Sequence, residues 1–306
     1  METGRAPRPM RDKGHGGKVY LIGAGPGDPG LLTLKAARAI NASDVIIYDH
    51  LVNPEILAHC RRDAELIYAG KRGGQRSISQ PEINLLLIEK ARAGLIIGRL
   101  KAGDPFIFGR GGEEALALAG AGIDWEVIPG VSSGVAAAAY AGIPLTHRHC
   151  SSSVAFITGH DGINKGGSQV DWDAAARGAD TLVIFMCGST ISGIARELIS
   201  SGRPDSTPIA LVRWGTYEFQ EVYAGSLADI AAPLPANAWT EAQSTASAAS
   251  TSDSPSESRF NAPVIAIVGE AVKLADTLQW FKHGTRQALA KDAPLNRDHE
   301  VEAAVY

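Results

Sequence analysis

GAGPGDPG, residues 23 to 30, stands between the apolar run Val19-Tyr20-Leu21-Ile22 and the stretch LLTLKAARAI, residues 31 to 40. An apolar run that ends in a glycine turn and gives way to a helical pattern opens an α/β crossover unit. Dinucleotide sites use Gly-x-Gly-x-x-Gly there, because the glycines let backbone N–H groups and a helix N-terminus approach a pyrophosphate. Gly23 and Gly25 fit that spacing, but Asp28 takes the third glycine position and Pro26 removes one N–H. An aspartate repels phosphate, so the loop suits a phosphate-free ligand carrying positive charge. Asp28 followed by Pro29, or Thr33, also has the chemistry of a helix cap.

Outward from this loop, short apolar runs alternate with helical stretches. Strands are expected near 18–23, 44–48, 64–68, 95–100 and 125–128, and helices near 33–41, 54–60, 80–93, 111–121 and 132–141. That order predicts crossover units and a largely parallel sheet. A second set of strands runs through SVAFITGH, TLVIFM, PIALVRW, EVYAGSL and VIAIVG, with STISGIARELISSG as an intervening helix. The expected fold class is α/β: two α/β domains, 18–146 and 147–280, meeting near GIPLTHRHCS with a ligand cleft between them. Residues 1–17 and 281–306 are expected to be tails. A low-complexity insertion of Ala, Ser, Thr and Pro, about 233–260, has too little apolar surface to offset its ordering entropy.

A second acidic turn lies in RLKAGDPFIFGRGGEE, residues 99 to 114, where a strand ends, Ala-Gly-Asp-Pro follows and a glycine-rich segment opens a helix. If the strands are parallel, both Gly-Asp-Pro turns lie at the C-terminal edge of one sheet, where open α/β folds bind ligands. Asp49 in YDHLVNPEIL stands at another strand end and is equally a capping or turn residue. Lys71, Arg72, Arg76 and Arg148 read either as solvated surface or as a grip on a carboxylate-rich molecule, since arginine pairs bidentately with carboxylates. His147, His149 and Cys150 lack a further ligand at metal-like spacing, so no metal is expected.

The chain has 306 residues, 45% of them hydrophobic, and its 29 Lys and Arg against 33 Asp and Glu give a net charge of −4. That balance gives no global attraction to nucleic acid or an anionic membrane, and no apolar run is long enough to span one. Cys60, Cys150 and Cys187 form no Cys-x-x-Cys pair, which fits a reducing cytoplasm.

VYLIGAGPGDPGLLTLKA, YDHLVNPEIL, GKRGGQ, EIN, RLKAGDPFIFGRGGEE, PGVSSGVAAAAYAGIPLTHR and TGH occur here in one order. In that order they resemble the uroporphyrinogen-III C-methyltransferases of the tetrapyrrole methylase family, over roughly residues 18 to 275 apart from the insertion. The resemblance implies a two-domain α/β methyltransferase of non-Rossmann type, a homodimer binding S-adenosylmethionine between its domains. The implied reaction is two C-methylations of uroporphyrinogen III, at C2 and C7, giving precorrin-2 for siroheme or cobalamin. Carried over by position, the cofactor contacts are Pro26, Ala102, Gly103, Asp104, Ile107, Ser132, Ser133, Met186 and Gly215, while Asp49 matches a proton acceptor and Lys71 a proton donor. Lys71, Arg72, Arg76, Arg110, His147 and Arg148 would then meet the substrate carboxylates. Because so short a stretch precedes the first strand, oxidation and metal insertion are expected to fall to other proteins.

Three positions depart from the family pattern: Ala102 and Cys187 replace glycines, and PGVSSG replaces Pro-Gly-Ile-Thr-Ser/Ala. Ala102 is expected to weaken cofactor binding, either through backbone strain or by crowding. The nearest alternative activity is another precorrin methylation. A more distant one is an NAD(P)-dependent oxidoreductase, since Asp49 falls about where an acidic ribose-binding residue would stand.

Overall fold

The computed structural model describes residues 16–70, 78–159, 170–232, 263–282 and 285–288. Lys71, Arg72, Arg76, the insertion about 233–260, residues 1–15 of the N-terminal tail and residues 289–306 lie outside them. The chain divides into two units, Met1–Ser132 and Ser133–Tyr306. The division falls ahead of the seam read near residue 146, because the helix that follows Ser132 packs on the second sheet: a Cβ on its Gly134 would overlap the Phe185 ring.

The first unit runs β1 (Lys18–Gly23), α1 (Leu34–Ala42), β2 (Val45–Tyr48), β3 (Glu65–Tyr68), α2 (Gln80–Arg92), β4 (Ile96–Lys101), α3 (Gly111–Gly120) and β5 (Asp124–Ile128). Its sheet has the order β3-β2-β4-β1-β5 and every neighbouring pair is parallel, as the alternation predicts. Parallel strands are covered on both faces and so read as near-continuous apolar runs. Successive residues serve opposite faces: Leu21 and Ile97 join Leu87 and Leu118 on one side, and Ile22 and Leu100 join Ile40 and Ile56 on the other. Helix α1 starts at Thr33, whose hydroxyl accepts from the Ala36 N–H at 3.1 Å, and α2 starts at a capping box of Ser79 and Glu82. The helix expected over 54–60 is a 3-10 turn, Pro54–His59, with Asn53 capping the Glu55 N–H at 3.0 Å. Only Ile56 in it is buried, too little apolar surface to extend it as an α-helix.

The second unit contains α4 (Ser133–Tyr140), β6 (Val154–Thr158), α5 (Trp172–Gly178), β7 (Thr181–Phe185), α6 (Ile191–Ser200), β8 (Pro208–Arg213), β9 (Glu221–Ser226), α7 (Leu227–Ala231), β10 (Val264–Val268), α8 (Ala275–Leu278) and β11 (Thr285–Ala288). Its sheet is mixed, in the order β11-β9-β8-β10-β7-β6. Strand β10 lies antiparallel between β7 and β8, and β8 turns back on β9 through a connection too short for a crossover. Strand β11 pairs parallel with β9, so part of the stretch read as a C-terminal tail belongs to the sheet. Among the described residues no helix is long and apolar enough to cross a membrane.

Candidate active site

Because β1 and β4 are parallel neighbours in register Gly23 to Lys101, the loops that follow them leave the same edge of the sheet. The ladder continues beyond the strands. The Ala24 N–H donates to the Lys101 carbonyl at 2.8 Å, and Gly25 and Gly103 exchange two backbone bonds at 3.3 and 2.7 Å. Gly103 has φ +69°, open to glycine at little cost. A third backbone enters from the end of β5: a Cβ on Gly130 would overlap the Gly103 carbonyl oxygen and lie 2.7 Å from the Gly23 Cα. Asp104 ties these loops together, its carboxylate accepting from the Phe106 N–H at 2.8 Å and the Gly130 N–H at 3.1 Å. Ser132 follows two residues after Gly130. Gly25, the neighbour of Pro26, is thus joined to Gly103, and Asp104 to Gly130, in one frame within the first unit.

Asp28 is a cap. Its Oδ1 accepts from the Gly30 N–H at 2.7 Å, opening the 3-10 turn Pro29–Leu31. With Pro26 lacking an N–H and a carboxylate at the turn's start, the loop has neither the donors nor the charge of a phosphate cradle.

Beyond Asp104 the chain folds tightly over itself, the Gly111 N–H donating to the Pro105 carbonyl at 2.9 Å. Phe108 and Arg110 take the left-handed region at φ +49° and +59°, and the apolar residues Phe106, Ile107 and Phe108 are exposed as a result. Non-glycine residues held there cost energy that the surroundings must impose. Arg110 is exposed and forked onto Glu113, with bonds of 2.8 and 2.7 Å.

Behind the loops lies a buried charge network. Arg99 and Lys101 point from β4 to one face and meet Glu114 of α3, its Oε1 at 3.0 Å from both Arg99 Nε and Lys101 Nζ. Gln80 donates to the same oxygen at 3.3 Å. Arg99 also reaches Asp49 at the end of β2, with Nη2 at 2.8 Å from Oδ1 and 2.9 Å from Oδ2, while Lys101 Nζ is 3.9 Å away. Asp49 remains one-third exposed (33%), whereas the Glu114 side chain is fully buried. Burial works against the Arg99 guanidinium, but Glu114 and Asp49 outweigh it and hold it above the ordinary arginine value. Burial pushes the Lys101 ammonium below the usual lysine range, and Arg99 adds to this against the pull of Glu114 and Asp49.

In the second unit β7 and β8 both pair antiparallel with β10, so their C-terminal ends share an edge. Met186 follows β7 at φ +54° and is half exposed. Gly215 follows β8 between Trp214 at φ +50° and Thr216 at φ +75°. Helix α4, which begins with Ser133, packs beside both strand ends: a Cβ on Gly134 would overlap the Phe185 ring, and one on Gly215 would stand 2.7 Å from that of Ala137. Ser133 thus opens a helix that packs against the ends of the strands that Met186 and Gly215 follow. His147 is used in a local turn, its N–H donating to the Ser151 carbonyl at 2.8 Å and its Nδ1 facing Cys150 Sγ at 3.7 Å, beside exposed Arg148. Among the described residues no three His, Cys, Asp or Glu side chains are grouped to hold a metal ion.

The sequence model of the Tetrapyrrole (Corrin/Porphyrin) Methylases matches residues 18–231. This chain belongs to that family. The methylase is 50% identical over 214 residues, 70% of its length and 90% of the relative's, to a Priestia megaterium protein named Uroporphyrinogen-III C-methyltransferase. It is 46% identical over 267 residues to a protein of Pseudomonas entomophila (strain L48) named Siroheme synthase, covering 87% of this chain and 53% of that one. The chain thus spans about half the length of most of the curated relatives it matches. Its fold matches a Uroporphyrin-III C-methyl transferase from Thermus thermophilus complexed with S-adenyl homocysteine, with TM-score 0.64, 35% identity and coverage of 84% and 99% of the two chains.

Two departures from the family pattern now have a physical reading. Ala102 is outside the positive-φ residues, so the backbone-strain half of the expected penalty does not apply and only its methyl group remains to crowd a ligand. Ala102→Gly is therefore expected to lower the unfolding free energy by about 0.5–1 kcal/mol, through unfolded-state entropy. Urea denaturation measures this, and a gain in stability would show that alanine is strained there. Cys187 is fully buried in the second unit's core and donates to the Ile184 carbonyl at 3.4 Å, and burial pushes its thiol up to about 12. It packs as a small apolar residue, with Met186 keeping its left-handed backbone.

Arg99, Lys101 and Glu114 were not singled out from the sequence. The signal was a strand, IIGRLK, buried at all six positions yet carrying two cations, which demands a buried anion nearby.

Proposed function

We propose that this chain catalyses S-adenosylmethionine-dependent C-methylation of uroporphyrinogen III at C2 and C7, giving precorrin-2, as a cytoplasmic homodimer without a metal. The observation that carries the reading is the frame of two acidic glycine turns joined through Gly25 and Gly103 and fixed by Asp104. It is a close-packed, phosphate-averse, acidic surface, which fits a cationic sulfonium compound. The names of the Priestia and Thermus relatives and the latter's S-adenyl homocysteine support the same assignment.

S-adenosylmethionine, when bound, supplies an electrophilic methyl group. Pro26, Ala102, Gly103, Asp104, Ile107, Ser132, Ser133, Met186 and Gly215 are the residues proposed to hold and orient it. Pyrrole carbons are already nucleophilic, so orientation and exclusion of water are the main demands on the protein. Asp49, held by Arg99 with its carboxylate one-third exposed, would accept the proton at Oδ1 or Oδ2 as the ring system rearranges. Lys71 is the proposed donor, and Arg72, Arg76, Arg110, His147 and Arg148 the cations for the substrate's carboxylates. Arg110 has first to exchange Glu113 for the substrate.

Anaerobic incubation with S-adenosylmethionine and uroporphyrinogen III, followed by mass spectrometry, tests the reading: two added methyl groups are expected, and none would overturn it. Asp49→Asn is expected to lower kcat on the order of 10²- to 10⁴-fold, the usual worth of a proton-transfer group. Single-turnover kinetics check this, and an unchanged rate would remove Asp49 from the proton transfer.

A further inference from the structure

The buried network is an expensive way to hold two elements together. Removing two cations and a carboxylate from water costs more than simple pairing returns, and well-packed apolar residues often stabilise as much or more. What this arrangement provides that apolar packing does not is a fixed electrostatic setting for the one member that reaches solvent. That member is Asp49.

Glu114 sits at the far end, wholly buried, with three donors converging on Oε1: Arg99 Nε, Lys101 Nζ and Gln80 Nε2. Its Oε2 has no hydrogen-bond partner among the described residues. The carboxylate therefore works as a single-point anchor. It fixes Nε of Arg99, so the adjacent Nη2 of the same planar guanidinium is presented to Asp49 in one orientation. It also keeps Lys101 Nζ at 3.0 Å from itself and 3.9 Å from Asp49, so only one of the two cations bonds Asp49 directly. Asp49 and Glu114 are the two carboxylates within reach of Lys101 among the described residues, so the Glu114 charge is what draws Nζ away from Asp49.

We infer that Glu114 is a positioning residue that acts through Arg99 and Lys101 to orient Asp49 and leave part of its carboxylate available, an inference that rests on the proposed role of Asp49 as proton acceptor.

The test is a double-mutant cycle of Glu114→Gln and Asp49→Asn in the full chain, read as kcat and KM for uroporphyrinogen III. Calorimetric binding of S-adenosylhomocysteine shows that each variant is folded. Glu114→Gln keeps the shape and an acceptor oxygen but removes the charge. Its kcat is expected to fall on the order of 10- to 100-fold, the scale of loss for a misplaced catalytic group, with KM unchanged. The double variant is expected to be no slower than Asp49→Asn alone, because both changes act on one group. Multiplying losses, or a Glu114→Gln kcat equal to that of the unaltered chain while Asp49→Asn is impaired, overturns the inference and leaves the proposed function standing. An Asp49→Asn variant with full kcat overturns the role of Asp49 and the inference with it. Should Glu114→Gln not accumulate as folded protein, Glu114→Asp, which keeps the charge but draws the anchoring oxygen back from Arg99 and Lys101, carries the same cycle with the same two outcomes.

Discussion

Arg99→Met is expected to lower the unfolding free energy by about 3–5 kcal/mol, the range found when one partner of a buried ion pair is removed. The Arg99 side chain is only 2% exposed and is the direct cationic partner of both Glu114 and Asp49. With methionine in its place, Lys101 alone faces two carboxylates, one of them fully buried, and it lies 3.9 Å from Asp49. Methionine fills much of the volume, so the loss comes from charge left uncompensated rather than from a cavity. Urea denaturation at neutral pH measures it. A loss below about 1 kcal/mol, the worth of an exposed pair, would show that water reaches Glu114 and that the network is not the closed unit described.

Gly130→Ala is expected to damage both the fold and cofactor binding. Gly130 is outside the positive-φ residues, so alanine is admissible on backbone grounds and the obstacle is contact alone. A methyl group there overlaps the Gly103 carbonyl oxygen and stands 2.7 Å from the Gly23 Cα, both backbone atoms that cannot rotate away. Overpacking usually costs about 1–3 kcal/mol, and a clash with two backbone segments belongs at the upper end or above. Relief requires the turn at Gly103 to move, which breaks the Gly25–Gly103 bridge and the Asp104 bond to the Gly130 N–H. Thermal denaturation and calorimetry with S-adenosylhomocysteine read the two effects separately. A stable variant of unchanged affinity would show that this convergence is no part of the cofactor site.

Much of the first unit was legible in the sequence because its signals are local. Alternating apolar runs and helix caps such as Thr33 and Ser79 depend on residues a few positions apart. The two Gly-Asp-Pro turns were legible as a pair for the same reason, once parallel strands put them at one edge. Of the two readings of Asp28, ligand-facing carboxylate or helix cap, the structure shows the cap. Other elements escaped because their stability comes from distant partners. Helices α5 and α7 are short and carry little periodicity, and β11 forms by pairing with β9 some sixty residues earlier in the chain.

By itself the sequence determined the α/β class, the family and the chemistry of the glycine loop, because each rests on residue types at fixed, short spacings. Only the tertiary structure decided that Ala102 is unstrained, that Cys187 is core, that the second sheet is mixed, and that Asp49 is held by Arg99 while Lys101 is kept back by Glu114. Backbone angles, burial and ion pairing arise where strands and helices far apart in the chain are packed together. A carboxylate fifty residues from its guanidinium meets it only because β2 and β4 lie side by side.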